Sequence, residues 1–486
     1  MMSPAALTLQ PCRLVKYGNE TCPSTPLDLS NISQYIPSDD SLRKSISDHV
    51  SRRAASGARW LFLETAGGVH SPGPSGTPQA DLYAPLRLPT ILVGDSKLGG
   101  ISQTISAYES LKMRGYDIET LLLFHNEQYE NHLYLRDYFG ARADISIETV
   151  APPPRRNDDN RVDAEAMMSY YDSVAKDDTM GRVLDTLDRR GRDRISRLES
   201  MSQKASESIW YPFTQQKNLS ADQISVVDSA HGDFFQIYVP STTTPAAPAA
   251  PAANNNNDPP ALQAAFDGSA SWWTQGLGHA NPQLALAAAY AAGRYGHVMF
   301  PGAIHEPALA LAETLLRELG NPRLSRVFYS DNGSTGCEVA LKMALRTARI
   351  RYGWSASERV DILGLRGCYH GDTIGTMDCA EPGPYNEKVE WYEGRGAWLE
   401  YPTIRCSGGK WLVDVPESLE TDLGKGASFK SLSDIFDLGA RTGGEKYGDY
   451  KRYIYGTLER LQADGRKFGA LLLEPIILGA GGMIFV

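Results

Sequence analysis

The segment from Ser330 to Gly336 reads Ser-Asp-Asn-Gly-Ser-Thr-Gly, a turn of small and hydroxyl side chains. It follows an apolar stretch at residues 327–329, for which we predict a strand. Apolar residues at spacings of three and four then predict a long helix. Free N–H groups and hydroxyls at a helix N-terminus can bind phosphate. Because Ser and Thr are also common helix caps, the turn alone predicts either a phosphate site or an ordinary helix start.

A second turn reads Gly367-Cys368-Tyr369-His370-Gly371-Asp372-Thr373. The flat aromatic side chains of Tyr369 and His370 could lie against a heterocyclic ring. For this turn taken alone, a packed Tyr and a solvated His are the favoured interpretation. Cys368 and Cys379 have no activating base nearby in the sequence, and we predict core thiols for both.

The first half contains a candidate metal and anion turn. Residues 60–63 are predicted to form a strand that leads into Glu64-Thr65-Ala66-Gly67-Gly68. In parallel sheets, ligands bind beyond the carboxyl ends of the strands, where a Glu can reach Mg²⁺. Two glycines would let backbone N–H groups approach an anion closely. An ordinary tight turn after a buried strand is the alternative.

A glycine-rich turn also follows the next predicted strand, from Val93 to Gly100. It lacks the GxxxxGK[ST] pattern, so it is weak evidence of phosphate binding. We expect Lys97 to be structural or solvated.

The pattern of elements predicts an α/β fold in the first 150 residues. Short apolar strands at 60–63, 90–93 and 120–124 alternate with helices at 42–55 and 101–114, which indicates a parallel sheet covered by helices.

Two further tracts follow the first. Residues 151–208 are predicted to form charged helices that end this domain and bridge to the next. Residues 209–486 are rich in Gly, Tyr and Trp and form the third tract. Its insert at 241–260 is of low complexity, and we predict a disordered surface loop there.

Composition excludes several classes of protein. The chain has 486 residues, of which 42% are hydrophobic and 22% charged, which is typical of a folded protein. The net charge of −10 comes without a basic block and argues against nucleic-acid binding. No apolar run reaches the ~18 residues of a membrane helix. The six cysteines form no CxxC pair, and we predict reduced thiols without a zinc site.

The motifs of the first half resemble those of dethiobiotin synthetase, a P-loop-type ligase. The resemblance rests on residues 64–68, on His70-Ser71-Pro72 and on residues 88–101. It implies that Glu64 ligates the Mg²⁺ that accompanies ATP, and that Gly67 and Gly68 face substrate and nucleotide phosphates. Asn126 and Pro153 match the adenine pocket loosely.

No Walker A loop occurs in residues 1–59, so we expect this domain to lack its N-terminal part and to hold Mg·ATP weakly.

The second half resembles class III pyridoxal-phosphate aminotransferases of fold type I, because the phosphate turn, long helix and Tyr-His turn occur in that order. Five further segments resemble 7,8-diaminopelargonic acid aminotransferase: residues 210–215, 271–273, 278–282, 297–300 and 473–483. A plant and fungal family fuses the two activities with the synthetase first, and this chain resembles that fusion.

The second resemblance implies a set of roles, residue by residue. The cofactor phosphate is assigned to Gly333, Ser334 and Thr335. The remaining contacts are assigned as follows: Tyr369 and His370 against the pyridine ring, Glu474 behind it, and Trp272, Trp273, Phe213 and Tyr369 around the substrate.

The fold class implied is therefore α/β, with a partial P-loop-type sheet domain followed by a partial fold type I aminotransferase domain. In the family, an Asp and a Schiff-base Lys lie beyond the position of Val486. No lysine of residues 209–486 has the expected context, so no catalytic Lys is assigned. We expect Lys342, on the predicted helix, to be an ordinary surface residue.

The resemblance implies a two-step conversion in biotin synthesis. S-adenosylmethionine would donate an amino group to 8-amino-7-oxononanoate through pyridoxal phosphate. The resulting diaminopelargonate would react with CO₂ and ATP to give dethiobiotin. Two alternatives remain: a class III aminotransferase of other specificity, or a truncated partner without activity. The resemblance also implies a homodimer and a mitochondrial location; the chain shows no targeting segment, and the cytoplasm is the alternative.

Overall fold

The computed structural model describes residues 36–56, 60–212, 214–240 and 261–486. Contacts divide the chain into two compact units, Met1–Met299 and Phe300–Val486. Each is described by itself. The expected insert at 241–260 lies outside the described residues, and the domain boundaries proposed at 150 and 208 remain predictions.

The first unit contains a parallel three-stranded sheet in the order β1-β2-β3. Its strands are β1 (Thr90–Val93), β2 (Ile118–Phe124) and β3 (Ser146–Val150). β2 is central and mostly buried, because its Ile-Glu-Thr-Leu-Leu-Leu-Phe sequence places apolar side chains on both faces. The predicted parallel α/β arrangement is confirmed for these strands.

Helices flank this sheet. They are α1 (Asp39–Ala55), α2 (Gln79–Tyr83), α3 (Gly100–Met113) and α4 (Asn131–Gly140). The main core joins β1 and β2 to α3 and α4, with Leu121, Leu123, Leu135 and Phe139 almost fully buried. The helices predicted at 42–55 and 101–114 are thus present.

Two helices follow the sheet, α5 (Asn160–Lys176) and α6 (Asp178–Ser208). Asp177 caps α6 by accepting a hydrogen bond from Thr179 N at 2.7 Å. The first half of α6 buries Val183 and Leu187 against the parallel sheet. Its second half buries Leu198 in a different cluster, with Val226 and Tyr238.

That second cluster belongs to an antiparallel sheet of three strands. The strands are β4 (Val227–His231), β5 (Phe234–Val239) and β6 (Ala261–Phe266). They are followed by a short turn of helix, α7 (Ala270–Trp273), and by α8 (Pro282–Tyr295), which completes the first unit.

The second unit begins with α9 (Glu306–Leu319) and α10 (Gly333–Tyr352). α10 packs on a parallel sheet in the order β12-β7-β8. Its strands are β7 (Asp361–Leu365), β8 (Gly396–Leu399) and β12 (Phe468–Leu471). All five residues of β7 are buried, and the short helix α11 (Ile374–Met377) follows that strand.

The remaining elements surround this sheet. They are β9 (Thr403–Ser407), β10 (Lys410–Asp414), α12 (Glu420–Leu423), β11 (Ala427–Phe429), α13 (Leu432–Ile435), α14 (Leu438–Thr442), α15 (Glu445–Ala463), β13 (Ile477–Leu478) and β14 (Met483–Ile484). In the described part of the chain, no helix is both long and apolar enough to cross a membrane.

Two predicted strands are wrong. Residues 60–63 and 327–329 have no ladder hydrogen bonds and are not strands. Leu61, Phe62 and Phe328 are exposed, so the apolar runs there are not core strands either. An apolar run becomes a strand only when a neighbouring strand pairs with it, and that pairing is not encoded locally. Glu64 therefore does not follow a strand end.

Candidate functional site

The site in the second unit is organised by the N-terminus of α10. Asn332 caps this helix, and its Oδ1 accepts a hydrogen bond from Thr335 N at 2.9 Å. The next N–H, that of Gly336, donates to the carbonyl of Asn332. Because Gly333 and Ser334 precede that bond, their N–H groups have no acceptor inside the helix. The predicted turn is therefore both a capped helix start and a source of free donors.

The side chain of Ser334 reaches the Tyr-His turn. Its Oγ accepts a hydrogen bond from Thr373 N at 2.9 Å and lies 3.0 Å from Thr373 Oγ1. Thr376 Oγ1, 3.1 Å away, completes a cluster of three hydroxyls. Gly371 has φ +130°, and a Cβ there would clash with Ser334 Oγ. The close approach of the two turns therefore requires glycine at this position.

Glu474 fixes the same turn from another side. Its Oε1 accepts a hydrogen bond from Tyr369 N at 2.9 Å. Its Oε2 accepts one from Gly479 N at 2.6 Å. One carboxylate thus joins the Tyr-His turn after β7 to the glycine-rich turn between β13 and β14, through two charge-assisted bonds.

The surroundings of Tyr369 and His370 are the reverse of a packed Tyr and a solvated His, the interpretation favoured for this turn alone. Tyr369 is 42% exposed, and its hydroxyl donates to Asp372 Oδ2 at 2.9 Å. Burial and the Asp372 carboxylate raise the pKa of Tyr369 to about 12, so its phenol is neutral at physiological pH. His370 is buried, and desolvation lowers its pKa. Its Nε2 is buried without a hydrogen-bond partner in the part of the chain that the structure describes.

The cysteines near this turn are core thiols, as predicted. Cys368 and Cys379 are both buried. Burial raises the pKa of Cys368 to about 11 and that of Cys379 to about 12. Neither carries appreciable thiolate at neutral pH. Lys342 forms an ordinary ion pair with Glu338, one turn away on α10.

These residues fit a phosphorylated heterocycle. Free N–H groups at the start of α10 and the Ser334 hydroxyl suit a phosphate, and the exposed ring of Tyr369 offers a flat apolar face. The unpartnered Nε2 of His370 is a polar atom that still needs a partner. The structure brings Gly333, Ser334 and Thr335 together with the Tyr-His turn.

Two of the predicted substrate residues, Trp272 and Trp273, lie in the first unit, whereas Tyr369 lies in the second. Trp272 and Trp273 are 68% and 66% exposed. Four consecutive residues from Ala270 to Trp273 have φ between +46° and +71°, the left-handed region that non-glycine residues rarely adopt. Asp267 supports this turn through hydrogen bonds from Ser271 Oγ and with His279 Nε2, each 2.8 Å long. Phe213 lies outside the described residues.

The turn around Glu64 is held by local contacts. Gly67 has φ +95°, and a Cβ there would lie 2.6 Å from Ser71 Oγ. Ser71 N donates to the carbonyl of Gly68, and Gln79 Nε2 donates to that of Ala66. Glu64 is half-buried, and its Oε2 is buried with no hydrogen-bond partner among the described residues.

An unsatisfied carboxylate oxygen fits a role as one ligand of Mg²⁺, which takes few protein ligands beside nucleotide phosphates. Among the residues that the structure describes, no group of three or more His, Cys, Asp or Glu side chains is placed to hold a metal by itself.

The remaining predicted nucleotide contacts are less organised. Asn126 uses its Oδ1 to accept hydrogen bonds from Gln128 N and Tyr129 N, so this oxygen shapes its own turn. Pro153 is exposed in an irregular segment. The loop at 94–99 is fixed instead by Asn131, whose Nδ2 donates to the carbonyls of Asp95 and Lys97.

Sequence reasoning missed Asn131, Thr373 and Thr376 as organisers of these turns. Thr373 belongs to the Tyr-His motif and could have been found as a hydroxyl beside it. Asn131 carries no sequence signal, because its two acceptors lie more than thirty residues earlier in the chain.

Two protein families match separate parts of the chain. The class III aminotransferase family matches residues 263–406, and an AAA-domain family matches residues 12–151. The chain thus combines a P-loop-like parallel-sheet region with a class III aminotransferase region. Among solved structures, an amine transaminase from an uncultivated Pseudomonas species aligns with TM-score 0.39 and 22% identity, over 57% of this chain and 50% of that one.

Two relatives match most of this chain. The bifunctional dethiobiotin synthetase/adenosylmethionine-8-amino-7-oxononanoate aminotransferase of Emericella nidulans is 54% identical over 457 residues, which cover 93% of this chain and 56% of the relative. The mitochondrial bifunctional dethiobiotin synthetase/7,8-diamino-pelargonic acid aminotransferase of Arabidopsis thaliana is 40% identical, over 87% of this chain and 49% of the relative. The chain is homologous to these bifunctional proteins over most of its own length, and it spans about half the length of the curated relatives it matches.

Proposed function

We propose that this chain contributes to two consecutive steps of biotin synthesis. The first is transfer of an amino group from S-adenosylmethionine to 8-amino-7-oxononanoate, with pyridoxal phosphate as cofactor. The second is carboxylation and ring closure of the resulting diamine to dethiobiotin, with ATP and Mg²⁺. The names of the fungal and plant relatives support both steps.

One observation carries the first step. The free N–H groups of α10, the Ser334 hydroxyl and the ring of Tyr369 are brought together through the hydrogen bond from Thr373 N to Ser334 Oγ. In this proposal Gly333, Ser334 and Thr335 bind the cofactor phosphate, and Tyr369 covers one face of the ring. Pyridoxal phosphate, when bound, supplies the electron sink that amino transfer requires.

Other residues of the same region have supporting roles in this proposal. Glu474 holds the Tyr369 backbone in place through its bond to Tyr369 N. His370, neutral because burial lowers its pKa, offers its free Nε2 to a polar atom of cofactor or substrate. Trp272 and Trp273 would contact substrate, and their exposure leaves both side chains accessible.

For the second step, we infer that Glu64 ligates Mg²⁺ and that Gly67 and Gly68 approach the phosphates. Its unpartnered buried Oε2 supports this assignment. Mg²⁺ stabilises negative charge that develops during phosphoryl transfer to a carbamate. A homodimer and a mitochondrial location remain part of the proposal, supported by the family and by the names of the plant relatives.

The phosphate site can be tested on this chain by comparing binding of pyridoxal phosphate with binding of pyridoxal, which lacks the phosphate. Wild-type protein should prefer the phosphorylated compound. Ser334→Ala removes one charge-assisted contact worth ~1.5–3 kcal/mol and should reduce that preference by about ten-fold or more.

Thr347→Ala is the matched control, since Thr347 also lies on α10 and its hydroxyl donates to the carbonyl of Met343. Equal binding of the two compounds by wild-type protein would refute the phosphate site. A separate measurement addresses the second site: Mg²⁺-dependent binding of ATP should be weak and should decrease further in Glu64→Gln, with Ser334→Ala unaffected.

A further inference from the structure

A cleft in the first unit is separate from every residue assigned above. It has a volume of about 280 Å³. Its walls come from the helical turns around Asp81 and Ala84, the C-terminal end of α3, the strands β4 and β5, and the first turns of α8. Its walls combine apolar groups of Pro85, Met113 and Ala285 with a few polar side chains. None of the residues proposed for pyridoxal phosphate, ATP or Mg²⁺ lines it.

Arg114 is the most available charged group of this cleft. Its Nε donates to Asp81 Oδ1 at 2.6 Å, and its Nη1 donates to the carbonyl and the hydroxyl of Ser110. Its Nη2 has no hydrogen bond to any residue that the structure describes. A guanidinium carries two N–H donors on that nitrogen. Arg114 is thus held in position by three bonds and keeps two donors unused.

Two further polar groups face the same space. The Ser229 hydroxyl on β4 is buried and has no hydrogen-bond partner among the residues that the structure describes. A buried hydroxyl normally has a partner, because leaving it unpaired costs stability. His231, two residues further on, has its pKa lowered chiefly by burial and is neutral at pH 7.

Arg87 also lines the cleft, but Asp117 and Asp228 neutralise it through ion pairs of 2.8 and 3.0 Å. Asp81 is the one carboxylate among the residues that line the cleft, and it is paired with Arg114. The cleft therefore offers more unused hydrogen-bond donors than unused anionic groups.

We propose that this cleft binds a small aliphatic monocarboxylate, whose carboxylate accepts hydrogen bonds from Arg114 Nη2 and the Ser229 hydroxyl while its chain lies against the apolar wall. A charge-assisted bond to guanidinium is stronger than one to a neutral acceptor, which favours a carboxylate over an alcohol. A water-sized group occupies ~30 Å³, so the cleft accommodates about nine such groups. An eight-carbon acid matches this size.

The test is ligand binding by the full chain, measured by calorimetry with three probes of equal chain length: octanoate, octylamine and 1-octanol. Octanoate should bind saturably, with one molecule per chain and at least ten-fold more tightly than the other two. Ala285→Trp places a large side chain in the cleft and should abolish this binding. Ala287→Trp, on the same helix but outside the cleft, is the matched control and should bind as wild type does.

A second variant addresses the polar end. Ser229→Ala should weaken octanoate binding by about ten-fold or more, the loss of one charge-assisted hydrogen bond to the carboxylate. The proposal is wrong if octylamine or 1-octanol binds as tightly as octanoate, if no probe binds, or if Ala285→Trp retains full octanoate affinity. None of these outcomes bears on the pyridoxal phosphate or ATP sites, because the variants leave those residues intact.

Discussion

Glu474 and Tyr369 are 105 residues apart in sequence, and the carboxylate of the first accepts a 2.9 Å hydrogen bond from the backbone N–H of the second. The other oxygen of Glu474 binds Gly479 N at 2.6 Å. A side chain that holds two loops by their backbone N–H groups positions both of them. Loss of its charge should therefore disturb the Tyr-His turn.

Glu474→Gln tests this relationship. The amide keeps one acceptor oxygen but presents an N–H₂ group where the second oxygen accepted a bond, so one backbone donor loses its partner. We expect a loss of ~1.5–3 kcal/mol in the free energy of unfolding, measured by urea titration, with faster amide exchange at Gly479. Glu393→Gln, a surface carboxylate paired with Arg395, should change stability by less than ~1 kcal/mol. Equal effects of the two substitutions would contradict the positioning role.

Gly371→Ala should disrupt the contact between the two turns. Gly371 has φ +130°, and an added Cβ would clash with Ser334 Oγ. We expect destabilisation of at least ~1–3 kcal/mol and weaker binding of pyridoxal phosphate. Gly456→Ala is the control, and its effect should have the opposite sign. Gly456 lies inside α15 with open space around it, so this substitution should raise the free energy of unfolding by about 0.5–1 kcal/mol. Unchanged stability in Gly371→Ala would exclude the proposed need for glycine.

The buried His370 predicts a pH dependence of stability. Desolvation lowers its pKa, so the folded state holds the proton less tightly than the unfolded state does. This contribution to stability is fully present above the unfolded pKa of ~6.5, and it is lost as the pH falls through the lower folded pKa.

The test is the decrease in the free energy of unfolding between pH 7.5 and pH 5. This decrease should be smaller in His370→Gln than in the wild-type protein. NMR titration of the His370 ring gives an independent reading. A folded pKa at or above the ordinary value would contradict the prediction.

Asp228 should be among the most sensitive carboxylates of the first unit. Its side chain is 1% exposed and pairs with Arg87 at 3.0 Å and with Arg194 at 2.9 Å. Asp228→Asn keeps the shape but leaves these guanidiniums without their shared partner, and we expect a loss of about 3–5 kcal/mol in the free energy of unfolding. Glu165→Gln, which removes the same charge from an exposed pair with Arg161, should cost less than ~1 kcal/mol. Similar losses of unfolding free energy in both variants would show that burial of an ion pair does not determine its contribution to stability.

The sequence predicted those features that depend on neighbouring residues. The turn from Ser330 to Gly336 and helix α10 were predictable because a cap and an apolar stripe lie within one short segment. The strands at 60–63 and 327–329 were predicted wrongly, because a strand exists only through pairing with a distant segment. The contacts of Ser334 with Thr373, and of Glu474 with Tyr369, could not be predicted for the same reason. The roles assigned to Glu64, Trp272 and Phe213 stay predictions.

Helix α6 contributes to two separate cores of the first unit. At ~1.5 Å per residue its 31 residues extend about 46 Å, and its two ends are buried in different cores, through Val183 and Leu198. A cut in the backbone between Val183 and Leu198 would therefore weaken both cores of the first unit at once. The two cores should lose their protection against proteolysis together rather than one after the other.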